Sequence, residues 1–274
     1  MRGCAPGQGA TALAMNFHGK TVLITGASMG IGEAFARELS RRGATLLLVA
    51  RGEAKLQALA AELGNAHVLA VDLAEPGAPK RIHDAVMARG LAVDVLINNA
   101  GFGRYGPFES LPFEEQHGQV ALNVSALVDL THLFIDGITQ RQGGVINVAS
   151  IAAYLPTPYM AVYGATKAFV LSFSEALWGE YRSRGVRVLC LNPGQTETAF
   201  FDRAVGLEQQ KHKARPEDVV SLGLEAFAQG RVSVIHGHGN RLLTTFGRLF
   251  PRGLVARVGA RMFAPRPTPA TLAP

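Results

Sequence analysis

The chain has 274 residues, 48% hydrophobic and 18% charged, with a formal net charge of +6, which supplies enough apolar material for one sizeable core and excludes a polar, disordered chain. Two cysteines, Cys4 and Cys190, exclude a disulfide framework and fit a reducing, cytoplasmic setting. The positive charge excludes a general nucleic-acid surface because it is confined to one end: residues 1–225 sum to −1, and beyond Glu225 there is no Asp or Glu, only Arg231, Arg241, Arg248, Arg252, Arg257, Arg261 and Arg266.

Residues 1–16 have neither a secretory apolar segment nor strong amphipathicity and are expected to be a disordered extension. From residue 17 to 238 a single domain is expected, because short apolar runs ("TVLITG", "TLLLVA", "HVLAVDL", "VDVLINNAG", "GVINVAS", "VRVLCLNPG") alternate with longer segments of helical period. That order belongs to a parallel sheet covered by helices. No run approaches the roughly 18 uninterrupted apolar residues of a membrane span.

The first strand, about Lys20 to Thr25, runs into "TGASMGIG" and then a helix. Gly26 suits a tight turn, Gly30 a close approach of backbone to a pyrophosphate, and Gly32 close packing of helix on sheet. Free N–H groups at the helix start would face the phosphates. An ordinary strand-to-helix turn would carry the same letters. The next strand ends "LLLVARGEAKL": where a carboxylate would bind the ribose hydroxyls of NAD, the chain has Ala50 and then Arg51. A guanidinium there can grip a 2′-phosphate, so NADP(H) is expected over NAD(H); the competing reading is a solvated loop arginine. Asp72, in "AVDL", would either accept from an adenine amino group or cap the following turn. "NNAG" (Asn98 to Gly101) lets backbone pass close to an adenosine ribose.

A helix is expected from roughly Pro112 to Gln140, with Asn123 as a polar amide among apolar neighbours; it would tie off a kink or hold a water in a proton path. Ser150 lies at the end of "VINVAS", and Tyr163 and Lys167 follow in "YGATK", four positions apart and so on one helix face. A phenol has an ordinary pKa of about 10, and a neighbouring ammonium and a cationic nicotinamide ring would both lower it towards a catalytic range. Ser150 would then hold a substrate oxygen at the phenol. Each of the three is more often a plain structural residue.

Taken together, the glycine motif, "NNAG", Asn123, Ser150, the Tyr163–Lys167 pair and "NPGQTET" resemble, in order and spacing, the classical short-chain dehydrogenase/reductase family over about residues 18–236. The resemblance implies a Rossmann-type α/β fold, a doubly wound parallel sheet of seven strands with helices on both faces, and nicotinamide-dependent oxidoreduction of a small-molecule carbonyl or alcohol. It implies that Asn123 holds a relay water, Ser150 orients the carbonyl, Tyr163 is the acid/base, and Lys167 binds the nicotinamide ribose and lowers the tyrosine pKa. It also places Gly26, Ser28, Gly30, Ile31, Gly32, Arg51, Asp72, Leu73, Asn99, Ala100, Gly101, Pro193, Gly194, Thr196 and Thr198 around the cofactor, and a homodimer or homotetramer in solution. Met29 stands where many NADP-preferring members carry a basic residue, which leaves the 2′-phosphate to Arg51 and Ser28. The alternatives are an NAD-linked alcohol dehydrogenase of the same fold and a non-catalytic sensor of the NADP redox state.

Phe102, Tyr154, Leu155, Phe200 and Phe201 are expected around an apolar substrate pocket, and no metal site is expected from His236 and His238. Met160 and Trp178 read as core or interface. Residues 239–264 interleave arginine with Leu, Phe, Val and Met at helical spacing, an amphipathic extension that would cover protein or rest on an anionic membrane surface. The proline-rich residues 265–274 are expected to be a disordered tail.

Overall fold

The computed structural model describes residues 15–198, 213–247 and 249–265. Its strands are β1 (Thr21–Thr25), β2 (Thr45–Ala50), β3 (Ala66–Ala70), β4 (Val95–Asn98), β5 (Gly144–Val148), β6 (Arg187–Asn192) and β7 (Ser233–Ile235). They form one parallel sheet in the order β3-β2-β1-β4-β5-β6-β7. The helices are α1 (Gly30–Arg41), α2 (Glu53–Leu63), α3 (Ala78–Ala88), α4 (Phe113–Val120), α5 (Ala126–Gln140), α6 (Ala161–Tyr181), α7 (Pro216–Ala228), α8 (His238–Gly247) and α9 (Arg252–Met262).

Successive side chains of a strand point to opposite faces, and the central strands are apolar on both. One rung runs Leu48, Ile24, Ile97, Ile146, Leu189 across the sheet; it is buried with Phe35 and Leu39 of α1, Leu56 of α2, and Leu224 and Phe227 of α7. The adjacent rung, Leu47, Leu23, Leu96, Val145, Val188, faces the other way, onto Ile82 and Val86 of α3 and Leu130, Phe134 and Ile138 of α5. Each such side chain contributes about 1.5–3 kcal/mol when fully buried. The result is the expected doubly wound, Rossmann-type α/β fold. Phe17, stacked on Phe227, is buried as well.

The chain leaves β1 towards β2 and β3 and then returns to β4 on β1's other side. The order therefore reverses between β1 and β4, and a crevice opens beyond their carboxyl ends. The long helix expected over 112–140 is present but interrupted: α4 and α5 are joined by a single π turn, Ala121–Ser125, with Asn123 buried inside it. By length and mean hydropathy Phe113–Gln140 would suit a membrane span, yet Leu127, Leu130, Phe134, Ile135 and Ile138 are buried against the sheet, as in a core helix.

Gly26 sits at φ +66, in the left-handed region that glycine reaches without penalty. A Cβ on Gly32 would lie 2.2 Å from the Gly26 carbonyl oxygen. Gly32→Ala should therefore destabilise the protein by roughly 1–3 kcal/mol through overpacking. Gly179→Ala, in α6 with open space around it, should stabilise it by about 0.5–1 kcal/mol. Chemical denaturation of the two variants checks the pair.

Candidate active site

A cavity of about 1200 Å³ fills the crevice. One end is built of backbone. α1 starts at Gly30 with no side-chain cap on Met29, so the N–H groups of its first turn remain available to an anion, and Gly26, Ser28, Gly30 and Ile31 line the wall there. A Cβ on Gly30 would meet the Thr198 methyl at 2.8 Å, so the glycine-rich turn and the segment after β6 close on each other with no room for a side chain. Arg51, Asp72 and Leu73 line the same end. The Asp72 carboxylate accepts from Ala74 N–H at 2.9 Å, which caps the turn, and its second oxygen is 3.5 Å from the Arg51 guanidinium. Both side chains are substantially exposed, so this pair is worth little and leaves the guanidinium available.

Thr25 organises the strand ends. Its hydroxyl accepts from Asn99 N–H and Ala100 N–H, both at 2.9 Å, while the Asn99 amide donates to the carbonyls of Thr25 and Gly26. The backbone of Asn99, Ala100 and Gly101 is thereby fixed along the cavity. Across it, Pro193, Gly194, Thr196 and Thr198 line the opposite wall. The Asn192 amide holds that turn by donating to Cys190 O, Ser233 Oγ and Val234 O.

Ser150, Tyr163 and Lys167 meet at the middle of the cavity. Ser150 is extended and accepts from Ala152 N–H at 3.2 Å, which seats its hydroxyl at the head of a short turn. The Ser150 hydroxyl also acts on the Tyr163 phenol, lowering its pKa. Lys167 donates to Val148 O at 2.8 Å, with its ammonium 5.8 Å from the centroid of the Tyr163 ring. Tyr163 is 7% exposed and Lys167 5%.

The titration of this pair departs from expectation. In the chain by itself burial pushes the Tyr163 phenol up to about 12, against an opposing effect of the Ser150 hydrogen bond. Burial also brings Lys167 down to about 8. The lysine does not offset the desolvation of the phenolate, because it is itself desolvated.

Three further residues bear on the wall of the cavity. Tyr154 does not line the cavity; its hydroxyl bonds Ser233 Oγ at 3.1 Å. Met160, read as core or interface, does line it. Asn123 is not in the wall either: its amide accepts from Phe102 N–H at 3.0 Å and donates to Phe102 O at 2.9 Å and Thr166 Oγ at 3.0 Å. Both amide N–H groups are thus used in clamping the loop after β4 to α6, which ties off the helix at its π turn. Phe102 and Leu155 line the cavity as expected, Gly32 packs helix on sheet, and Phe200 and Phe201 lie outside the described residues.

The family model described as short chain dehydrogenase matches residues 20–206. The chain belongs to the short-chain dehydrogenase family. Within it, serine 3-dehydrogenase of Rhizobium radiobacter is 36% identical over 182 residues, 66% of this chain and 73% of that protein. A solved short-chain dehydrogenase from Sphingobium yanoikuyae, in complex with NADPH, superposes with a TM-score of 0.75 at 32% identity, covering 86% of this chain and 94% of that one. The 3-ketoacyl-(acyl-carrier-protein) reductase from Brucella melitensis, complexed with NADH, does so with a TM-score of 0.75 at 27% identity, covering 82% and 99%.

Sequence reasoning missed several residues that shape this dehydrogenase site. Thr25 and Thr166 looked like ordinary strand and helix residues, and only their hydrogen bonds distinguish them. A Cβ on Gly103 would meet the Tyr163 ring at 2.8 Å, so that glycine lets the loop lie flat on the phenol. Lys55 of α2 lines the cavity beside Arg51, and Leu243, Val255, Val258 and Met262 bring the C-terminal helices into the opposite wall.

A difference titration checks the phenol. Ultraviolet absorbance of wild type minus Tyr163→Phe should contain no phenolate below about pH 10, the ordinary tyrosine value, in the cofactor-free protein. A phenolate signal appearing near neutrality would contradict the dominance of burial.

Proposed function

We propose that the protein is an NADP(H)-dependent oxidoreductase that reduces the carbonyl of a hydrophobic ketone, aldehyde or acyl thioester, or oxidises the corresponding alcohol. The observation that carries this reading is that Ser150, Tyr163 and Lys167 line one cavity between a backbone-lined end and an apolar one. The residues present fit a dinucleotide. The uncapped start of α1 suits a pyrophosphate, and Gly26, Ser28, Gly30 and Ile31 line the cavity beside it. Arg51 and Lys55, with Ser28, offer two cations and a hydroxyl to a 2′-phosphate. Asn99 to Gly101 flank the ribose, and Pro193 to Thr196 with Thr198 flank the ring.

The reduced nicotinamide supplies a hydride to a carbonyl carbon. The chain's own residues manage the oxygen. Ser150 and Tyr163 both direct hydroxyls at one point, so together they can fix a carbonyl oxygen and polarise it. Because burial keeps the phenol protonated at neutral pH, Tyr163 is a proton donor to the developing alkoxide. Alcohol oxidation needs the phenolate and should gain as pH rises. Lys167, held on Val148 O, places a positive charge beside the ribose position and the phenol.

Phe102, Leu155, Pro156 and Met160 on one side, and Val255, Val258 and Met262 on the other, make the substrate end apolar. That suits an acyl chain or a ring system better than a small amino acid such as serine. Large apolar side chains on α4 and α6 (Phe113, Val120 and Phe169) are exposed, which supports a homodimer or homotetramer formed through these helices.

Two experiments test the reading. Wild-type protein should oxidise NADPH with an apolar carbonyl from a broad panel, and Tyr163→Phe should lose at least about a hundredfold in turnover, the scale of a general-acid contribution. Failure of the wild type across the panel would favour a redox sensor. Separately, Arg51→Ala should weaken NADPH binding by roughly 10- to 100-fold, the scale of a charge-assisted hydrogen bond, and leave NADH binding nearly unchanged, read by cofactor fluorescence. Equal NADPH affinity in both proteins would favour an NAD-linked enzyme.

A further inference from the structure

The helices beyond β7 have two apolar faces, one of which lines the cavity. The inner face closes the cavity. Val255, Val258 and Met262 line it, Gly247 lies against Leu155, Gly259 lies against Pro158, and the Tyr105 hydroxyl donates to Phe263 O at 2.6 Å. The outer face carries Leu242, Phe246, Leu249, Phe250 and Leu254. None of these lines the cavity, and they are 59%, 56%, 73%, 53% and 41% exposed. Leu249 and Phe250 stand at the turn between α8 and α9. Burial cannot be the reason for five such side chains here, and a contiguous exposed apolar patch of this kind marks an interaction surface.

The charge around the patch decides which kind. Arg241, Arg252, Arg257 and Arg261 are exposed on the same two helices, and none makes an ion pair among the described residues. No Asp or Glu follows Glu225 in the sequence. A second copy of the chain would bring this patch against itself about a two-fold axis, so four arginines would oppose four with no local carboxylate to relieve them. Apolar side chains bracketed by arginines at an exposed turn match a surface that offers negative charge at its face and hydrocarbon just below, which is the interface of an anionic bilayer.

We propose that the outer face of α8 and α9, with the Leu249–Phe250 turn inserted, is a docking site for an anionic lipid bilayer. Docking stands on the surface alone. Its consequence, that the apolar end of the cavity is brought to the lipid behind a single layer of helix, rests on the reading of that end as a substrate site.

Sedimentation of the full-length protein with phosphatidylcholine vesicles, with and without phosphatidylserine, tests it. The wild type should bind the phosphatidylserine vesicles and release at high salt. Each arginine near the surface contributes about fivefold in affinity, so Arg252→Gln/Arg257→Gln/Arg261→Gln should bind roughly a hundredfold more weakly. Leu249→Ser/Phe250→Ser should also lose binding, with the circular dichroism melt of both variants unchanged. No wild-type binding, or equal binding to neutral vesicles, overturns the proposal whether or not the variants fold. So does a wild-type oligomer that Leu249→Ser/Phe250→Ser dissociates while neither protein sediments with vesicles, because the patch is then an interface between copies. Carbonyl turnover measured without vesicles fails or succeeds independently of these outcomes.

Discussion

Burial sets the chemistry available at the centre of this protein. The Tyr163 phenol and the Lys167 ammonium would both be better solvated in water, and the fold holds them at 7% and 5% exposure, one helical turn apart. Desolvation penalises whichever form is charged, so it pushes the phenol up to about 12 and the lysine down to about 8. A protonated phenol beside Ser150 is thereby ready to give a proton. A cationic group entering the cavity would work in the other direction and ease the phenolate, which couples the protonation of the site to what occupies it.

Keeping such groups buried requires the surrounding polar groups to be tied down. Asn98 and Asn147, register partners at the ends of β4 and β5, are joined side chain to side chain at 2.9 Å. Asn98 also donates to Thr131 of α5 at 3.0 Å, and Asn147 to Ser174 of α6 at 2.9 Å. This buried ladder fixes α6 against the sheet, and with it the height of Tyr163 and Lys167 above the strand ends. Asn123 adds a second tie, from the π turn to the loop after β4 and to Thr166. Buried amides are costly when unpaired and specific when paired, which is why they locate the reactive side chains to a fraction of an ångström. The strained tyrosine nearby follows the same logic. Tyr159, at φ +65, accepts from Gly106 N–H at 2.9 Å and packs by its ring on Tyr105, joining the two loops that rim the cavity.

Much of this was legible in the chain before folding. Six strands announced themselves as apolar runs bounded by turn residues, whereas β7 has three residues and too little pattern to stand out. Gly26 and Gly32 could be assigned a turn and a packing role from their position between a strand and a helix, and both roles hold in the coordinates. Other residues resisted. Tyr154 and Met160 lie six residues apart in one loop, and nothing local says which turns to Ser233 and which to the cavity. The interruption of the long helix at Ala121–Ser125 has no proline or glycine to mark it. Cover is what spacing leaves out at Tyr163 too: it reveals the nearby ammonium, but not how much protein lies over both groups.

What the sequence determined by itself, then, is whatever depends on neighbours along the chain: the period of strands and helices, the glycines at the first turn, and the four-residue interval from Tyr163 to Lys167. The tertiary structure alone decided which charges are desolvated, that α8 and α9 close the cavity some 80 to 100 residues after the tyrosine in the chain, and which of their faces is left outside. Periodicity is a short-range property of the backbone. Burial and electric field are sums over residues that only folding brings together.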